Sequence, residues 1–356
     1  APLTQIVNPN RLRWHLAMTF PLCDINDLEG LLWTHVSLLS LCAILIIASF
    51  NSQFRNPAPY GRFADPAKAK AWGFPIPQRI GHMVSDALPG IPLCLAVYLL
   101  YSGLLPRYGS FSEVRAVNVV LLCGWLLHYL YRGVVHPLIM PYSSKTVAVG
   151  ITLAGIFPNA LFAYLIAAQL ACSRYPDNWA SQPRFIIGVV LYAVGTAVNR
   201  WADLKLRAGR LALQRRRHRG NKDRKSSSGS SKMAEQEQQH KQQLISGGGG
   251  GGAEVAGGGA GAAEGEKEEA EGGDVRSQYF IPRGGLFEFV SCPNYLGELL
   301  QWGGYALAVW SWSALGWLLF CTSTFLPRSL GNHRWYQTHF GSEYPPNRKA
   351  LIPFVL

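Results

Sequence analysis

No C-x-x-C pair occurs in this sequence. Its seven cysteines, Cys23, Cys42, Cys94, Cys123, Cys172, Cys292 and Cys321, are scattered. Most sit in apolar runs, where Cys behaves as a small hydrophobe, so neither a zinc site nor a disulfide framework is expected. A cleavable signal peptide is not expected from the opening stretch either. The opening APLTQIVNPNRLRWHLAMTF has no short, strongly apolar core followed by a small-residue cleavage site. Residues 226–274 contain no Phe, Trp or Tyr and are dominated by Ser, Gln, Gly, Ala and Glu. Such a tract buries too little apolar surface to offset its ordering entropy, and an unstructured cytosolic insertion over 214–277 is expected. The glycines from Gly247 to Gly252 satisfy G-x-G-x-x-G trivially, but no strand precedes them and no helix opens on them. That excludes a dinucleotide fingerprint there. No inverted repeat is apparent, which argues against a transporter or a scaffold built around a pathway.

What is present is a succession of long apolar runs. The chain has 356 residues and a mean hydropathy of only +0.08, because the polar tract dilutes the rest. Runs of about twenty apolar residues match a bilayer core of roughly 30 Å. The first is LLWTHVSLLSLCAILIIASF at 31–50, and others lie near 87–105, 114–135, 146–171 and 185–202. Two more, near 294–312 and 313–327, follow the polar tract and are separated only by Ser311 to Ser313, so one long helix is an alternative there. The expected fold is all-α: a polytopic membrane protein of about seven transmembrane helices enclosing a cofactor and substrate cavity. Its parts are an N-terminal segment (1–30), helices one to five (31–213), the insertion (214–277) and a C-terminal region (278–356).

The net charge of +12 raises the question of a nucleic-acid partner. The positive charge is concentrated beside the spans, however. Nine Lys or Arg lie between Arg207 and Lys225 against the single acid Asp223. Cytoplasmic loops of membrane proteins collect basic residues in this way, and no folded soluble domain is left to present a groove. The expectation is a bilayer-embedded monomer without a nucleic-acid partner. It has the first loop, RNPAPYGRFADPAKAKAWG (55–73), the polar tract and the C-terminus in the cytosol.

Polar side chains gather at the cytosolic ends of the spans. Asn199 and Asp203 stand four apart in VNRWADLKLRAGR, and Arg207 and Arg210 follow; Asn294 and Glu298 repeat the spacing in CPNYLGE. Residues four apart share a helix face. Tyr279 precedes IPRGG, and Arg328, Arg334, Tyr336 and Arg348 follow the last span. Singly, each reads as a topological anchor or a helix cap. Together they offer guanidinium forks for phosphate and carboxylates for ribose hydroxyls.

The C-terminal part is similar to the steroid 5α-reductase family almost continuously. The residues that carry this are Ile281-Pro282-Arg283-Gly284-Gly285-Leu286-Phe287, Asn294-Tyr295-Leu296-Gly297-Glu298 and Arg348-Lys349-Ala350-Leu351-Ile352-Pro353-Phe354. Weaker pieces extend upstream to Pro59-Tyr60-Gly61. The resemblance implies a seven-helix enzyme of the endoplasmic reticulum membrane. Such an enzyme uses NADPH to reduce the carbon–carbon double bond of a 3-oxo-Δ4 steroid. It implies cofactor contacts from Tyr60, Asn199, Asp203, Arg210, Tyr279, Asn294, Arg328, Tyr336 and Arg348. It also puts Glu298 on the same cavity and makes Tyr129 in LLHYLYRG the donor to the steroid carbonyl.

The sequence departs from the family at three places. Aligned through Leu88-Pro89, the family's catalytic glutamate falls on Ala87, and Asp86 stands one residue earlier as the catalytic candidate. Asn332 replaces a histidine at a cofactor position, with His333 after it, and Phe280 stands where some members carry an arginine. Related families reduce polyprenal-type lipids or long-chain enoyl-CoA, and these are the alternative substrates.

Overall fold

The computed structural model describes residues 28–63, 65–102, 116–142, 144–173, 175–246 and 279–356. Among these, one compact unit runs up to Arg207 and resumes at Ile281, and a second is Ala208–Phe280. The first unit is a helical bundle. It opens with α1 (Leu28–Arg55) and the short α2 (Pro66–Lys70), which begins on a helix-compatible proline. Strand β1 (Pro75–Pro77) then leads into α3 (Gln78–Leu88). A π turn at Pro89–Leu93 joins α3 to α4 (Cys94–Tyr101). After α5 (Ala116–Tyr129) a second π turn, Leu130–Val135, leads to α6 (His136–Ile139). Strand β2 (Thr146–Ala148) precedes α7 (Val149–Cys172), and α8 is Pro183–Ser246. The chain closes with α9 (Pro293–Val309) and α10 (Trp312–Phe340). β1 and β2 pair antiparallel with Pro75 opposite Ala148 and Ile76 opposite Val147.

Each π turn lies beside a proline. Pro92 has no N–H for the Leu88 carbonyl, and Pro137 has none for that of Gly133. A missing donor loosens the i→i−4 ladder, and a widened turn is one way to absorb it. The two turns therefore follow directly from sequence, and they lie just beyond Asp86 and Tyr129.

Four helical stretches among the described residues are long and apolar enough to cross a membrane: Gln78–Tyr101, Ala116–Ile139, Val149–Cys172 and Pro183–Gly220. They correspond to the second to fifth expected spans. The first expected span lies within α1 and the last two within α9 and α10, which fall outside that set of four. The last pair is two helices. Trp310 ends α9 in the left-handed region at φ 53°, and Ser311 opens the next helix by accepting from Ala314 N at 3.2 Å.

Two expectations change. Cys172, at the end of α7, is disulfide-bonded, whereas Cys42, Cys94, Cys123, Cys292 and Cys321 are free. Sequence spacing alone does not reveal which cysteines pair. From 214 to Ser246 the chain is helical rather than unstructured. Its Gln, Lys, Glu and Met side chains lose little rotamer freedom in a helix. Residues 247–278 lie outside the described ones.

Between lipid-facing helices, burial of apolar surface supplies no driving force, so close packing and interhelical hydrogen bonds have to hold the bundle. Glycines provide the packing where α8 meets α9. A Cβ added at Gly195 would lie 2.2 Å from Gln301 N, and one at Gly304 would lie 2.4 Å from Gly188 O. A Cβ at Gly297 would lie 2.4 Å from Asn199 N, so the same seam carries the polar residues of both helices together. Side chains tie helices to neighbouring backbones. Tyr192 donates to Gly124 O at 2.6 Å, Tyr305 to Leu121 O at 3.2 Å and Trp179 to Ala308 O at 3.1 Å. Trp125, Trp302 and Trp317, one each from α5, α9 and α10, close a buried triangle with centroids 5.4–5.6 Å apart.

Gly195→Val is expected to separate α8 from α9 and cost at least about 1–3 kcal/mol. Gly303→Ala, where an added Cβ meets nothing within 4 Å, should be neutral or stabilising by up to about 1 kcal/mol. Thermal unfolding of the two variants in detergent checks both.

Candidate functional site

A cavity of about 470 Å³ opens within the bundle. Its polar lining includes Tyr60, His82, Asp86, Tyr129, Arg132 and Glu298, and its apolar lining includes Leu45, Phe157, Trp317, Phe320 and Phe325. Four of the residues singled out from sequence, Tyr60, Asp86, Tyr129 and Glu298, thus share one space.

Tyr129 is buried, and its ring sits 4.9 Å from that of Trp125. Trp125 is held in turn by a bond from Nε1 to Gly90 O at 3.2 Å. Gly90 leaves room for the tyrosine, because an added Cβ would lie 2.1 Å from the Tyr129 ring. The phenol donates to Asn159 Oδ1 at 3.0 Å. Asn159 Nδ2 donates to Ser85 O at 2.9 Å and to Asp86 Oδ1 at 3.2 Å. Asp86 Oδ1 also accepts from Ser85 Oγ at 2.8 Å, and Asp86 Oδ2 lies 3.6 Å from Arg132 Nε. The neighbouring Ala87 points elsewhere: a Cβ on Gly133 would lie 2.5 Å from Ala87 N. A small residue at 87 suits that close approach, and the carboxylate of this helix enters the cavity from 86.

Glu298 reaches the cavity from α9. Its Oε1 lies 3.7 Å from His128 Nε2, and Asn199 Nδ2 approaches its Oε2 at 3.4 Å. Gln301 Nε2, which can only donate, lies 3.0 Å from His128 Nδ1, so the ring proton is on Nε2, facing Glu298. Asn199 also donates to Asn294 O at 2.9 Å and accepts from Arg200 at 2.5 Å. Arg200 stacks on the Tyr131 ring at 3.6 Å. Asp203, one turn on, faces His136 Nε2 across 3.7 Å.

Of the remaining predicted residues, Arg328 packs with Tyr60, and Arg348 and Tyr336 belong to a separate group around Tyr344. Arg328 lies over the Tyr60 ring at 4.3 Å and donates to Gln53 Oε1 at 3.2 Å. Arg348 is 2 % exposed. Its NH2 donates to Pro282 O at 3.2 Å and lies 3.7 Å from Glu288, whereas its Nε and NH1 have no hydrogen-bond partner among the described residues. Arg348 also covers the Tyr344 ring at 5.0 Å, and Tyr344 stacks on Tyr336 at 5.2 Å. Burial holds the Tyr344 phenol above its ordinary range, and its OH is 2.6 Å from Ser291 Oγ. Asn332 donates to Cys292 Sγ at 3.7 Å. Arg210 and Tyr279 fall in the second unit, Ala208–Phe280.

Sequence reasoning missed Asn159, Arg132 and His128. Asn159 had a legible signal, an amide in the middle of an apolar span, where polar groups are expensive and mark sites. His128 and Arg132 flank Tyr129 in HYLYRG and were visible as well, but the π turn begins right after Tyr129 and contains Arg132, so their relative direction depends on it.

Fold and cavity together define a helical membrane protein with a buried phenol, two carboxylates and a set of arginines. Comparison with known proteins specifies it further. The family described as 3-oxo-5-alpha-steroid 4-dehydrogenase matches residues 272–356. The rat protein 3-oxo-5-alpha-steroid 4-dehydrogenase 1 is 30 % identical over 302 residues, covering 84 % of this chain and 86 % of the rat protein. Its human counterpart is 29 % identical over 309 residues, 86 % of this chain and 90 % of that protein. Steroid 5-alpha-reductase DET2 of Arabidopsis thaliana is 28 % identical over 307 residues, 84 % and 87 % of the two chains. This chain belongs to the steroid 5-alpha-reductase family, a family of membrane oxidoreductases of steroid metabolism.

Gly90→Ala is expected to push the Tyr129 ring off its position, costing about 1–3 kcal/mol of stability and slowing steroid turnover. Leu127→Ala, at a position 63 % exposed, should leave the turnover unchanged. Parallel melting and turnover assays check the pair.

Proposed function

We propose that this protein reduces the C4–C5 double bond of a 3-oxo-Δ4 steroid with NADPH. The observation that carries the reading is a buried phenol held by an amide, on the wall of a cavity large enough for a flat apolar ligand. In this reaction the carbon β to a carbonyl gains a hydride, and negative charge grows on the carbonyl oxygen. A phenol, with its ordinary pKa near 10, carries its proton at neutral pH. Placed at that oxygen, Tyr129 stabilises the charge as it forms. The α-carbon then takes a proton, which balances the reaction as steroid enone plus NADPH plus H⁺ giving saturated ketone plus NADP⁺. The apolar wall of Leu45, Phe157, Phe320 and Phe325 excludes water from the hydrophobic body of the steroid.

NADPH, when bound, supplies the hydride. The residues present fit an anionic dinucleotide. Among the described residues, Arg348 keeps two buried donor groups without a partner, which is costly in a folded protein unless a ligand satisfies them. Arg328 stacks on Tyr60, which lines the cavity. Tyr60, Asn199, Asp203, Asn294, Glu298, Arg328, Asn332, Tyr336 and Arg348 are proposed to bind the cofactor.

We further propose seven spans in the endoplasmic reticulum membrane, with the C-terminus in the cytosol. The basic stretch after Arg207 supports this orientation. So does the disulfide at Cys172, because this scheme puts the end of α7 on the lumenal side, where disulfides persist.

Tyr129→Phe is expected to lower kcat about 10²- to 10³-fold, the usual loss on removing one such donor, while NADPH affinity stays the same. A variant with full turnover would show that another group donates. Arg348→Ala should weaken NADPH binding at least about tenfold, the loss of a charged hydrogen bond; titration by fluorescence reads it, and unchanged affinity contradicts its role.

A further inference from the structure

The carboxylate of Asp86 makes its contact with Tyr129 through an intervening residue. Between them stands the amide of Asn159, whose Oδ1 accepts from the phenol at 3.0 Å and whose Nδ2 reaches Asp86 Oδ1 at 3.2 Å. The orientation of this amide is fixed by chemistry. Nδ2 faces two acceptors, Ser85 O at 2.9 Å and the carboxylate, and neither has a proton to give. Flipping the amide would set its oxygen against both, and it would leave the Tyr129 hydroxyl facing an NH2 group. With the flip closed, the tyrosine can only donate along this line, and its oxygen is held at one place on the cavity wall. Asp86 is itself fixed by Ser85 Oγ at 2.8 Å and by Arg132 Nε at 3.6 Å.

We propose that Asn159 is the positioning residue for Tyr129, and that Asp86 acts on the phenol only by locking the Asn159 amide. An amide passes on a hydrogen bond without passing on a charge. The phenol is therefore held by a neutral acceptor, which a polarised steroid carbonyl displaces more easily than it would displace a carboxylate. This inference deepens the functional reading given above and rests on it.

The test is a double-mutant cycle on kcat in the full-length enzyme, with NADPH and a 3-oxo-Δ4 steroid as probes. Asn159→Leu and Asp86→Leu are each expected to lower kcat about 10- to 100-fold, the range for losing a group that orients a functional side chain. The NADPH dissociation constant should stay within about twofold in each. The double variant should lose no more than the worse single variant, because both substitutions break one chain of bonds. Asp86→Asn keeps an oxygen that can accept from Asn159 Nδ2, and it should retain most of the rate. Losses that multiply in the double variant, an Asn159→Leu enzyme with full kcat, or an Asp86→Asn enzyme as slow as Asp86→Leu would each overturn the inference. Should Asn159→Leu lose NADPH binding through misfolding, the cycle is run with Asn159→Ser and judged by the same outcomes. Failure of the functional reading is distinguishable, since it appears as absence of turnover in the unaltered enzyme.

Discussion

Polar groups inside a lipid-embedded bundle have no water at the outer face to satisfy them, so they have to satisfy one another. That constraint organises this structure. Asn199 bridges α8 to α9, Asn159 bridges α7 to α3 and α5, and Gln301 bridges α9 to His128 of α5. Each of these amides can donate and accept at once, which suits a junction between helices. Where a donor is left without a partner among the described residues, as at Arg348, the bundle has room for a ligand in its bonding pattern.

Satisfying these groups requires the helices to approach closely, and glycine makes that possible. Gly188, Gly195, Gly297 and Gly304 remove the side chains that would separate α8 from α9. Asn199 then comes within bonding range of Asn294 and Glu298. Gly90 and Gly133 do the same for α3 and α5, and set Tyr129 and Asp86 against one cavity. The two π turns belong to this arrangement. Each lies beside a proline that withholds a donor, and each changes the phase of a helix close to a residue that lines the cavity.

The second to fifth spans were legible from apolar run length alone, because a bilayer fixes how long such a run has to be. The break between α9 and α10 was ambiguous, since a left-handed tryptophan at 310 leaves no mark in composition; Ser311 was the only cue. The four-residue spacing of Asn199 with Asp203 and of Asn294 with Glu298 placed those pairs on helix faces, but which faces meet depended on the glycines. Asp86 shows the limit most clearly. A one-residue offset turns a side chain by about 100°, so sequence alone left its direction open, whereas Gly133 against Ala87 settles it. The disulfide at Cys172 and the helix through 214–246 were out of reach for different reasons. One is a pairing that spacing does not reveal, and the other is a polar tract in which helix-favouring Gln, Lys, Glu and Met are mixed with Ser and Gly.

The account rests on a hydride passing to a steroid that Tyr129 holds by its carbonyl. The most direct measurement is isotopic. Purified protein is given a 3-oxo-Δ4 steroid and NADPH carrying deuterium at the transferred position, and the product is read by mass spectrometry and NMR. The account predicts one deuterium at C5 of a saturated 3-oxo steroid. Recovery of unchanged steroid from folded, NADPH-binding protein, or product with no deuterium at C5, would contradict it.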